Sequence, residues 1–300
     1  MSTVPWLDER ERAQLAQLSF APQRKSAGGW VGDRRSARRG TSLEFADYRN
    51  YAPGDDLRRL DWNLYARLER PYLKLYEDEE DLALHIILDA SASMEWPLTA
   101  EEGQVSKWDF ARHLSAALAY IALQNNDQLL ITAISGAEWQ TFGPYRGREH
   151  SPRMFSFLSA QTASGELDWN ECLRSYGLRH ARPGLLVLIS DLLSADGHRA
   201  GLNDLLALGY ETTIVHTLSP DEMEPTLVGE LRLIDVENGS AREVTLDGRL
   251  RAQYARRVKQ WQEGIRRESH SRGVRYLLAR TDRPWLGLLM QDLRRARLLK

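Results

Sequence analysis

The stretch LALHIILDASAS at residues 82–93 decides the fold, because a short apolar run ends abruptly in an acid and two serines. A run of this length bounded by polar residues is typical of a strand buried in a parallel sheet. Outward from it, similar runs alternate with segments of helical periodicity. The pattern predicts further strands over 127–135, 184–190 and 212–218, and helices over 107–124, 168–180 and 202–208. This alternation predicts a doubly wound, Rossmann-type α/β fold with a mostly parallel sheet.

Smaller segments follow the fourth strand of this alternation. The further predicted elements are short strands over 231–236 and 243–246, a long helix over 250–271, a strand over 274–279 and a closing helix over 285–298. Asn238 and Gly239 stand between the two short strands and predict the turn of a small inserted β-hairpin. Residues 136–167 show no clear pattern, and we expect them to be rich in loops.

The first 81 residues follow a different pattern. Residues 1–40 begin with a short helical pattern and continue into a stretch rich in Gly, Ser and Arg, which predicts an exposed basic loop. The sequence leaves the role of its Arg-rich part, 33–40, open. Residues 41–81 are dense in aromatic residues, Arg and Asp, with a strand expected at 72–76. We therefore divide the chain into 1–40, 41–81 and an α/β domain over 82–300.

The composition excludes several classes of protein. With 42% hydrophobic and 27% charged residues, the 300-residue chain is typical of a globular protein with a full core. Its apolar runs are too short to span a membrane, and its first residues lack the apolar segment of a secretory signal. A single cysteine, Cys172, cannot form an internal disulfide, so we expect a cytoplasmic protein. A net charge of −2 argues against nucleic-acid binding.

Hydroxyl and carboxylate side chains follow two of the predicted strands, at the point where each strand ends. Asp89, Ser91 and Ser93 follow the first strand, and Asp191 follows the third. Because ligands bind beyond the carboxyl ends of parallel strands, these four side chains are expected at one edge of the sheet. Hard oxygen donors suit Mg²⁺ or Mn²⁺, with waters and a partner's oxygen completing the coordination. The alternative is structural, since a strand-terminal Asp or a Ser also caps a following helix.

The pattern Asp89-x-Ser91-x-Ser93 resembles the metal-ion-dependent adhesion site of von Willebrand factor A domains, which are doubly wound α/β folds. Asp191 matches the third metal loop of that family. In this interpretation Ser91 and Ser93 ligate through their hydroxyls, and Asp89 and Asp191 ligate directly or through water. An acidic side chain of a partner then completes the coordination.

The second metal loop departs from the von Willebrand A pattern. The family usually supplies a threonine in this loop, but alignment on Asp168 places Leu167 at that position, and leucine cannot ligate. Thr162 and Asp168 are candidate substitutes, beside Ser164 and Glu166. If none of them substitutes, the chain is a folded scaffold with an empty site.

Residues 45–67, FADYRNYAPGDDLRRLDWNLYAR, carry a dense pattern of Arg, Asp and aromatic residues. This segment resembles the signature of the DUF58 family, which places it just before a von Willebrand A-like domain. The resemblance covers the chain from residue 40 to the C-terminus. The arginines and aspartates are expected to form ion pairs covered by Tyr51 and Trp62. Such a segment is either a clasp onto the α/β domain or a recognition surface for a partner.

The resemblance implies a role in protein interaction. Members of the DUF58 family are typically paired with MoxR-type AAA+ ATPases and are thought to act as adaptors in assembling or activating other complexes. We therefore expect a non-catalytic, intracellular adaptor with a divalent-cation site, an ATPase of this type as partner and a further client protein. The alternative is a Mg²⁺-dependent phosphoryl-transfer enzyme or nuclease that uses Asp89 and Asp191. The chain lacks the phosphate-binding loop of P-loop ATPases and the nucleophile elbow of serine hydrolases.

Overall fold

The structure is a computed structural model that divides the chain into two compact units. It describes residues 6–22, 44–52, 60–68, 70–77, 82–97, 104–180, 182–194, 196–237 and 239–300. The larger unit contains Met1–Lys25 and Leu82–Lys300, and the smaller unit contains Ser26–Asp81. The predicted basic loop, including 33–40, lies outside the described residues, as does Asn238 of the predicted hairpin turn.

The described residues form strands and helices in the following chain order. The strands are β1 (Glu44–Asn50), β2 (Tyr72–Glu77), β3 (Ala83–Asp89), β4 (Gln128–Ser135), β5 (Glu138–Tyr145), β6 (Leu185–Ser190), β7 (Glu211–Leu218), β8 (Gly229–Ile234), β9 (Ala241–Leu246) and β10 (Arg275–Arg280). The helices are α1 (Glu9–Leu15), α2 (Trp62–Leu68), α3 (Lys107–Gln124), α4 (Ser151–Ala160), α5 (Trp169–Arg179), α6 (Arg199–Ala207), α7 (Pro220–Met223), α8 (Gly248–Ser271) and α9 (Trp285–Gly287), which continues as a π-helical turn over Leu288–Leu293.

The larger unit is built on a six-stranded sheet with the strand order β10-β7-β6-β3-β4-β5. Its strands pair in parallel except β5, which runs antiparallel to β4 at one edge. Alternate residues of β3 enter two different cores, because successive strand side chains point to opposite faces. Leu84 and Ile86 pack with α3, whereas Ile87 packs with residues of α5 and α6. The prediction of an α/β fold with a mostly parallel sheet covered on both faces is confirmed.

The segment 136–167 was expected to be rich in loops, and this prediction is wrong. It forms the edge strand β5 and the helix α4. Half of the residues of β5 are exposed and one is buried, so the strand lacks the apolar run of its neighbours. It also contains Gly143 and Pro144, which usually mark turns, but proline is tolerated in an edge strand, where one side of the backbone is unpaired.

The inserted hairpin is confirmed, since β8 and β9 pair antiparallel in a separate two-stranded sheet. The predicted strand at 72–76 is also confirmed as β2, which pairs antiparallel with β1 in the smaller unit. Among the described residues, no helix is both long enough and apolar enough to cross a membrane.

In the smaller unit, Asp61 is buried and organises the start of α2. One carboxylate oxygen accepts hydrogen bonds from the backbone N–H groups of Asn63 at 2.9 Å and Leu64 at 3.1 Å, and the other accepts one from the Tyr48 hydroxyl at 3.0 Å. Trp62, which was expected to cover ion pairs, is instead 62% exposed. The side chains of Arg49, Asp55, Asp56 and Arg58 lie outside the described residues.

Candidate functional site

The predicted site residues follow two adjacent strands of the sheet. Asp89 is the last residue of β3, and Asp191 follows the last residue of β6. The two strands are paired in parallel, with Leu88 opposite Ile189, so both strands end at the same edge of the sheet. Asp89, Ser91, Ser93 and Asp191 are all buried. The fold therefore brings the four side chains to neighbouring places at the carboxyl edge.

The Asp89 carboxylate is the centre of a hydrogen-bonded cluster. Its Oδ1 accepts hydrogen bonds from the Ser91 backbone N–H at 2.9 Å and from the Ser91 hydroxyl at 2.6 Å. Its Oδ2 accepts one from the Ser190 hydroxyl at 2.5 Å. The hydroxyl oxygens of Ser91 and Ser93 are 3.1 Å apart. The Ser91 hydroxyl makes no capping bond to the short 3₁₀ helix that follows, so the structural alternative does not account for it.

Burial and, second, the nearby negative charge of Asp191 raise the pKa of Asp89 to about 7, although hydrogen bonds from Ser190 and Ser91 act in the opposite direction. A carboxyl with this pKa exchanges its proton near neutral pH. A bound cation would favour the ionised carboxylate.

Lys107 is a residue of the site that the sequence analysis missed. It is the first residue of α3, and its side chain is fully buried. Its Nζ donates to Asp191 Oδ2 at 2.7 Å and also to Glu222 Oε1. Burial disfavours the charged amine, but the carboxylates of Asp191 and Glu222 outweigh this effect and raise the pKa of Lys107. No local sequence signal separates this lysine from an exposed one at the start of a helix.

The backbone and side chain of Asp191 are held in place by several partners. Its Oδ1 accepts a hydrogen bond from the Leu193 N–H at 3.0 Å, and its carbonyl oxygen lies 2.9 Å from His216 Nε2. His216 Nδ1 lies 2.7 Å from the Tyr276 hydroxyl. Burial lowers the pKa of His216 to about 4, so the ring is neutral at pH 7. This histidine positions Asp191 through its backbone.

The loop before α5 meets the Asp89–Ser93 turn through its backbone. The Ser164 N–H donates to the Ala90 carbonyl at 2.7 Å, and the Ala92 N–H donates to the Gly165 carbonyl at 3.0 Å. Leu167, at the position expected for the family's threonine, packs in the core against α5. The part of this loop that touches the turn therefore lies at 164–165, upstream of Leu167.

Two of the four candidate substitutes in this loop, Thr162 and Asp168, have different surroundings. Asp168 caps α5, since its Oδ1 accepts from the N–H groups of Asn170 at 2.8 Å and Glu171 at 3.3 Å. Thr162 is exposed.

Glu237 is a second residue that the sequence analysis missed. It lies at the tip of the β8–β9 hairpin and is half-buried, whereas its described neighbours in the turn are exposed. Burial raises the pKa of Glu237, and the negative charges of Asp191, Glu166 and Asp235 act in the same direction. The charge of Asp191 therefore acts on an acid of this hairpin.

The geometry of the donors fits a small divalent cation. Two oxygens on neighbouring corners of an octahedron around Mg²⁺ are about 3 Å apart. The hydroxyl oxygens of Ser91 and Ser93 have this spacing, which is also that of the hydrogen bond between them, and the Ser91 hydroxyl donates to Asp89. Within the described residues, no group of three or more His, Cys, Asp and Glu could hold a metal.

Comparison with protein families gives one match that spans most of the chain. A family model described as "Protein of unknown function DUF58" matches residues 47–264. The uncharacterised protein Mb1516 of Mycobacterium bovis and the uncharacterised protein Rv1480 of Mycobacterium tuberculosis are each 28% identical over 282 residues, which cover 93% of this chain and 87% of theirs. The uncharacterised protein MAV169 of Mycobacterium avium is 32% identical over 105 residues, covering 35% of this chain and 62% of its own.

Among solved structures, the conserved hypothetical protein BatB of Bacteroides thetaiotaomicron matches with a TM-score of 0.42 and 14% identity, over 72% of this chain and 96% of that one. An aerotolerance-related membrane protein of Bacteroides fragilis matches with a TM-score of 0.42 and 15% identity, over 72% of this chain and 98% of that one.

Proposed function

This chain belongs to the DUF58 family, and on that premise we propose that it is a non-catalytic interaction module with a divalent-cation site. The site consists of Asp89, Ser91, Ser93 and Asp191 at the carboxyl edge of the sheet. One observation carries the proposal: the hydroxyl oxygens of Ser91 and Ser93 lie 3.1 Å apart beside the buried Asp89 carboxylate. This arrangement supports the finer assignment of a von Willebrand A-like domain with an adhesion-type metal site.

Each residue has a separate task in this proposal. Ser91 and Ser93 hold Mg²⁺ or Mn²⁺ through their hydroxyl oxygens. Asp89 accepts a hydrogen bond from the Ser91 hydroxyl and supplies negative charge. The pKa of Asp89 falls when a cation binds beside it. Asp191 is held by Lys107 and by the Leu193 N–H, so it acts through its charge or through a bridging water. When bound, the cation supplies a Lewis-acidic position that takes a carboxylate oxygen.

A carboxylate of a partner protein completes the coordination in this proposal. The hydroxyl ligands are neutral, so the cation keeps most of its positive charge and attracts an acid. We take the partner to be a MoxR-type AAA+ ATPase, with the chain acting inside the cell as an adaptor toward a client protein. The family resemblance supports this choice of partner.

The first experiment measures metal binding to the purified full chain. Calorimetric titration with Mn²⁺ is expected to give one site in the wild type and none in Asp89→Ala. Asp282→Ala is the matched control, because Asp282 is an exposed acid paired with Arg280. The absence of Mn²⁺ binding to the wild type would contradict the metal site and favour a folded scaffold.

The second experiment measures the interaction itself. The chain is purified together with a MoxR-type ATPase in Mg²⁺ and again in EDTA. Binding is expected in Mg²⁺ only, and it is expected to be lost in Asp89→Ala and kept in Asp282→Ala. Equal binding under all these conditions would remove metal-mediated recognition from the proposal.

The raised pKa of Asp89 is the observation that favours a second candidate function. A carboxyl with a pKa of about 7 suits general acid–base work near neutral pH, as a Mg²⁺-dependent phosphoryl-transfer enzyme or nuclease requires. The burial of Asp89 and Asp191, and the ion pair of Asp191 with Lys107, count against it. Turnover of p-nitrophenyl phosphate or of a nuclease substrate that Asp191→Ala abolishes would favour the enzyme.

A further inference from the structure

A cavity of about 310 Å³ lies at the opposite end of β3 from Asp89. Its floor is formed by buried side chains near the starts of β3 and β4, those of Leu84, His85 and Leu130. This volume is at the lower end of the range that small-molecule sites occupy in proteins. The cavity therefore has room for a small ligand, and the ligands of the proposed metal site take no part in it.

Two arginines stand at the mouth of this cavity. Arg179 is the last residue of α5 and Arg182 follows shortly after it, and both are exposed. The Arg179 guanidinium lies 4.4 Å from the centroid of the Trp139 ring, and this stacking restricts its position. In the part of the chain that the structure describes, neither arginine forms an ion pair with a carboxylate, and none of the residues lining the cavity is acidic. The mouth of the cavity is therefore positively charged.

His85 places a polar ring on the floor of the cavity. The residue is 5% exposed, and its Nδ1 lies 2.8 Å from the Tyr176 hydroxyl, whereas its Nε2 is buried and forms no hydrogen bond of normal length with the described residues. Burial and, second, the charge of His180 lower the pKa of His85 to about 4, although the Arg182 backbone acts in the opposite direction, so the ring is neutral at pH 7. A buried polar atom without a partner destabilises a fold, and a ligand in the cavity would supply the partner.

We propose that this cavity binds a small organic anion, with its carboxylate or phosphate group at the mouth and its apolar body on the floor. Arg179 and Arg182 donate to the acidic group, since the fork of a guanidinium matches the oxygens of both groups. The apolar body packs against Leu84 and Leu130. At the inner end of the ligand, an oxygen accepts a hydrogen bond from His85 Nε2, which carries the ring proton when Nδ1 accepts from a hydroxyl. The site is independent of the proposed metal site.

Calorimetric titration of the full chain tests the anion site with three probes. These are 4-hydroxybenzoate, which carries a carboxylate, 4-nitrophenyl phosphate, which carries a phosphate, and 4-hydroxybenzyl alcohol, which is neutral. We expect at least one anion to bind once per chain, and the neutral probe to bind at least about tenfold more weakly, because it lacks charge-assisted hydrogen bonds. The anion that binds more tightly identifies the acidic group. No saturable binding of either anion, or equally tight binding of the neutral probe, would overturn the inference.

Arginine variants test whether the bound anion lies in this cavity. Arg179→Gln and Arg182→Gln are each expected to weaken binding of the preferred anion about tenfold, because each removes one charged donor. Arg256→Gln is the matched control, since Arg256 is exposed on α8 and does not line the cavity, and it is expected to match the wild type. Thermal unfolding without ligand checks that the three variants fold alike. Unchanged affinity in both cavity variants would overturn the inference.

Nuclear magnetic resonance tests the role of His85 without a substitution in the buried floor. In a chain labelled with ¹⁵N-histidine, saturation with the preferred anion is expected to shift the Nε2 signal of His85, because this atom gains a hydrogen-bond acceptor. The signal of His270, an exposed histidine of α8, is the internal control and is expected to stay in place. An unshifted His85 signal at saturation would overturn the placement of the ligand on the floor.

Discussion

Lys107 holds two carboxylates that would otherwise repel each other. Its ammonium group bonds Asp191, which follows β6, and Glu222 of α7, so it connects three separate parts of the larger unit. All the hydrogen-bonding capacity of a buried charge must be met within the protein, because water cannot reach it. The position of Asp191 in the site therefore depends on a lysine from another element.

Replacing Lys107 by methionine removes the ammonium group that pairs with Asp191 and Glu222. We expect Lys107→Met to lower the free energy of unfolding by about 3 kcal/mol in metal-free buffer, because the loss of one partner of a buried ion pair leaves the other charge buried without a counter-charge. Urea denaturation followed by circular dichroism measures the change. Lys259→Met, an exposed lysine of α8, is the control and is expected to change stability by less than about 0.5 kcal/mol.

Mn²⁺ extends this test. A divalent cation replaces part of the missing positive charge, so saturating Mn²⁺ is expected to stabilise Lys107→Met more than the wild type. Equal stability of Lys107→Met and the wild type without metal would show that the ion pair carries no net stabilisation.

At the scale of elements, α5 and α6 pack closely through small residues. A Cβ atom at Gly201 of α6 would lie 2.6 Å from the Asn170 carbonyl oxygen and 2.8 Å from the Leu173 Cβ. The Asn170 side chain also accepts hydrogen bonds from the first turn of α6, at 2.8 Å from the Ala200 N–H and 3.2 Å from the Gly201 N–H. These contacts fix the position of α6 after the Asp191 loop.

Gly201→Ala is expected to lower the free energy of unfolding by about 2 kcal/mol, because the added methyl group overlaps a backbone oxygen that cannot rotate away. Gly264→Ala in α8 is the control, and its expected effect on stability has the opposite sign. Its methyl group would meet nothing within 4 Å, so alanine is expected to stabilise the helix by about 0.5–1 kcal/mol. Thermal unfolding of both variants measures the difference, and a stable Gly201→Ala would contradict the close packing.

The bounds of the helices and strands show which elements hydrophobic periodicity can predict. The helix predicted over 107–124 has these bounds in the structure, because both of its faces carry apolar residues that pack in one core. The edge strand β5 was missed, since an edge strand with one solvent-exposed face needs few apolar residues. Burial produces the pattern, so elements without deep burial leave little trace in the sequence.

At the scale of the larger unit, the N-terminal segment belongs to the central core. Leu7, Leu15, Leu18 and Phe20 are buried in the same cluster as α3. Phe20 forms an antiparallel bridge with Leu299, and the Lys300 N–H donates to the Ser19 carbonyl at 2.9 Å. The first described segment and the last one therefore pair with each other across one core.

Removing one side chain from this segment tests its contribution to the whole unit. Leu15→Ala is expected to lower the free energy of unfolding by about 3 kcal/mol, because Leu15 is fully buried and the change leaves a cavity. Leu178→Ala is the control, since Leu178 is 77% exposed, and it is expected to change stability by less than about 0.5 kcal/mol. Similar denaturation midpoints for the two variants would contradict the role of α1 in the core.

The sequence by itself determined the alternation of strands and helices and the edge at which Asp89, Ser91, Ser93 and Asp191 emerge. Hydrophobic periodicity is local, so it can be read from neighbouring residues. Only the tertiary structure decided that Lys107 pairs with both Asp191 and Glu222. Lys107 and Glu222 are separated by 115 positions in the chain. Electrostatic pairing depends on distance through space, and the folded backbone alone sets that distance.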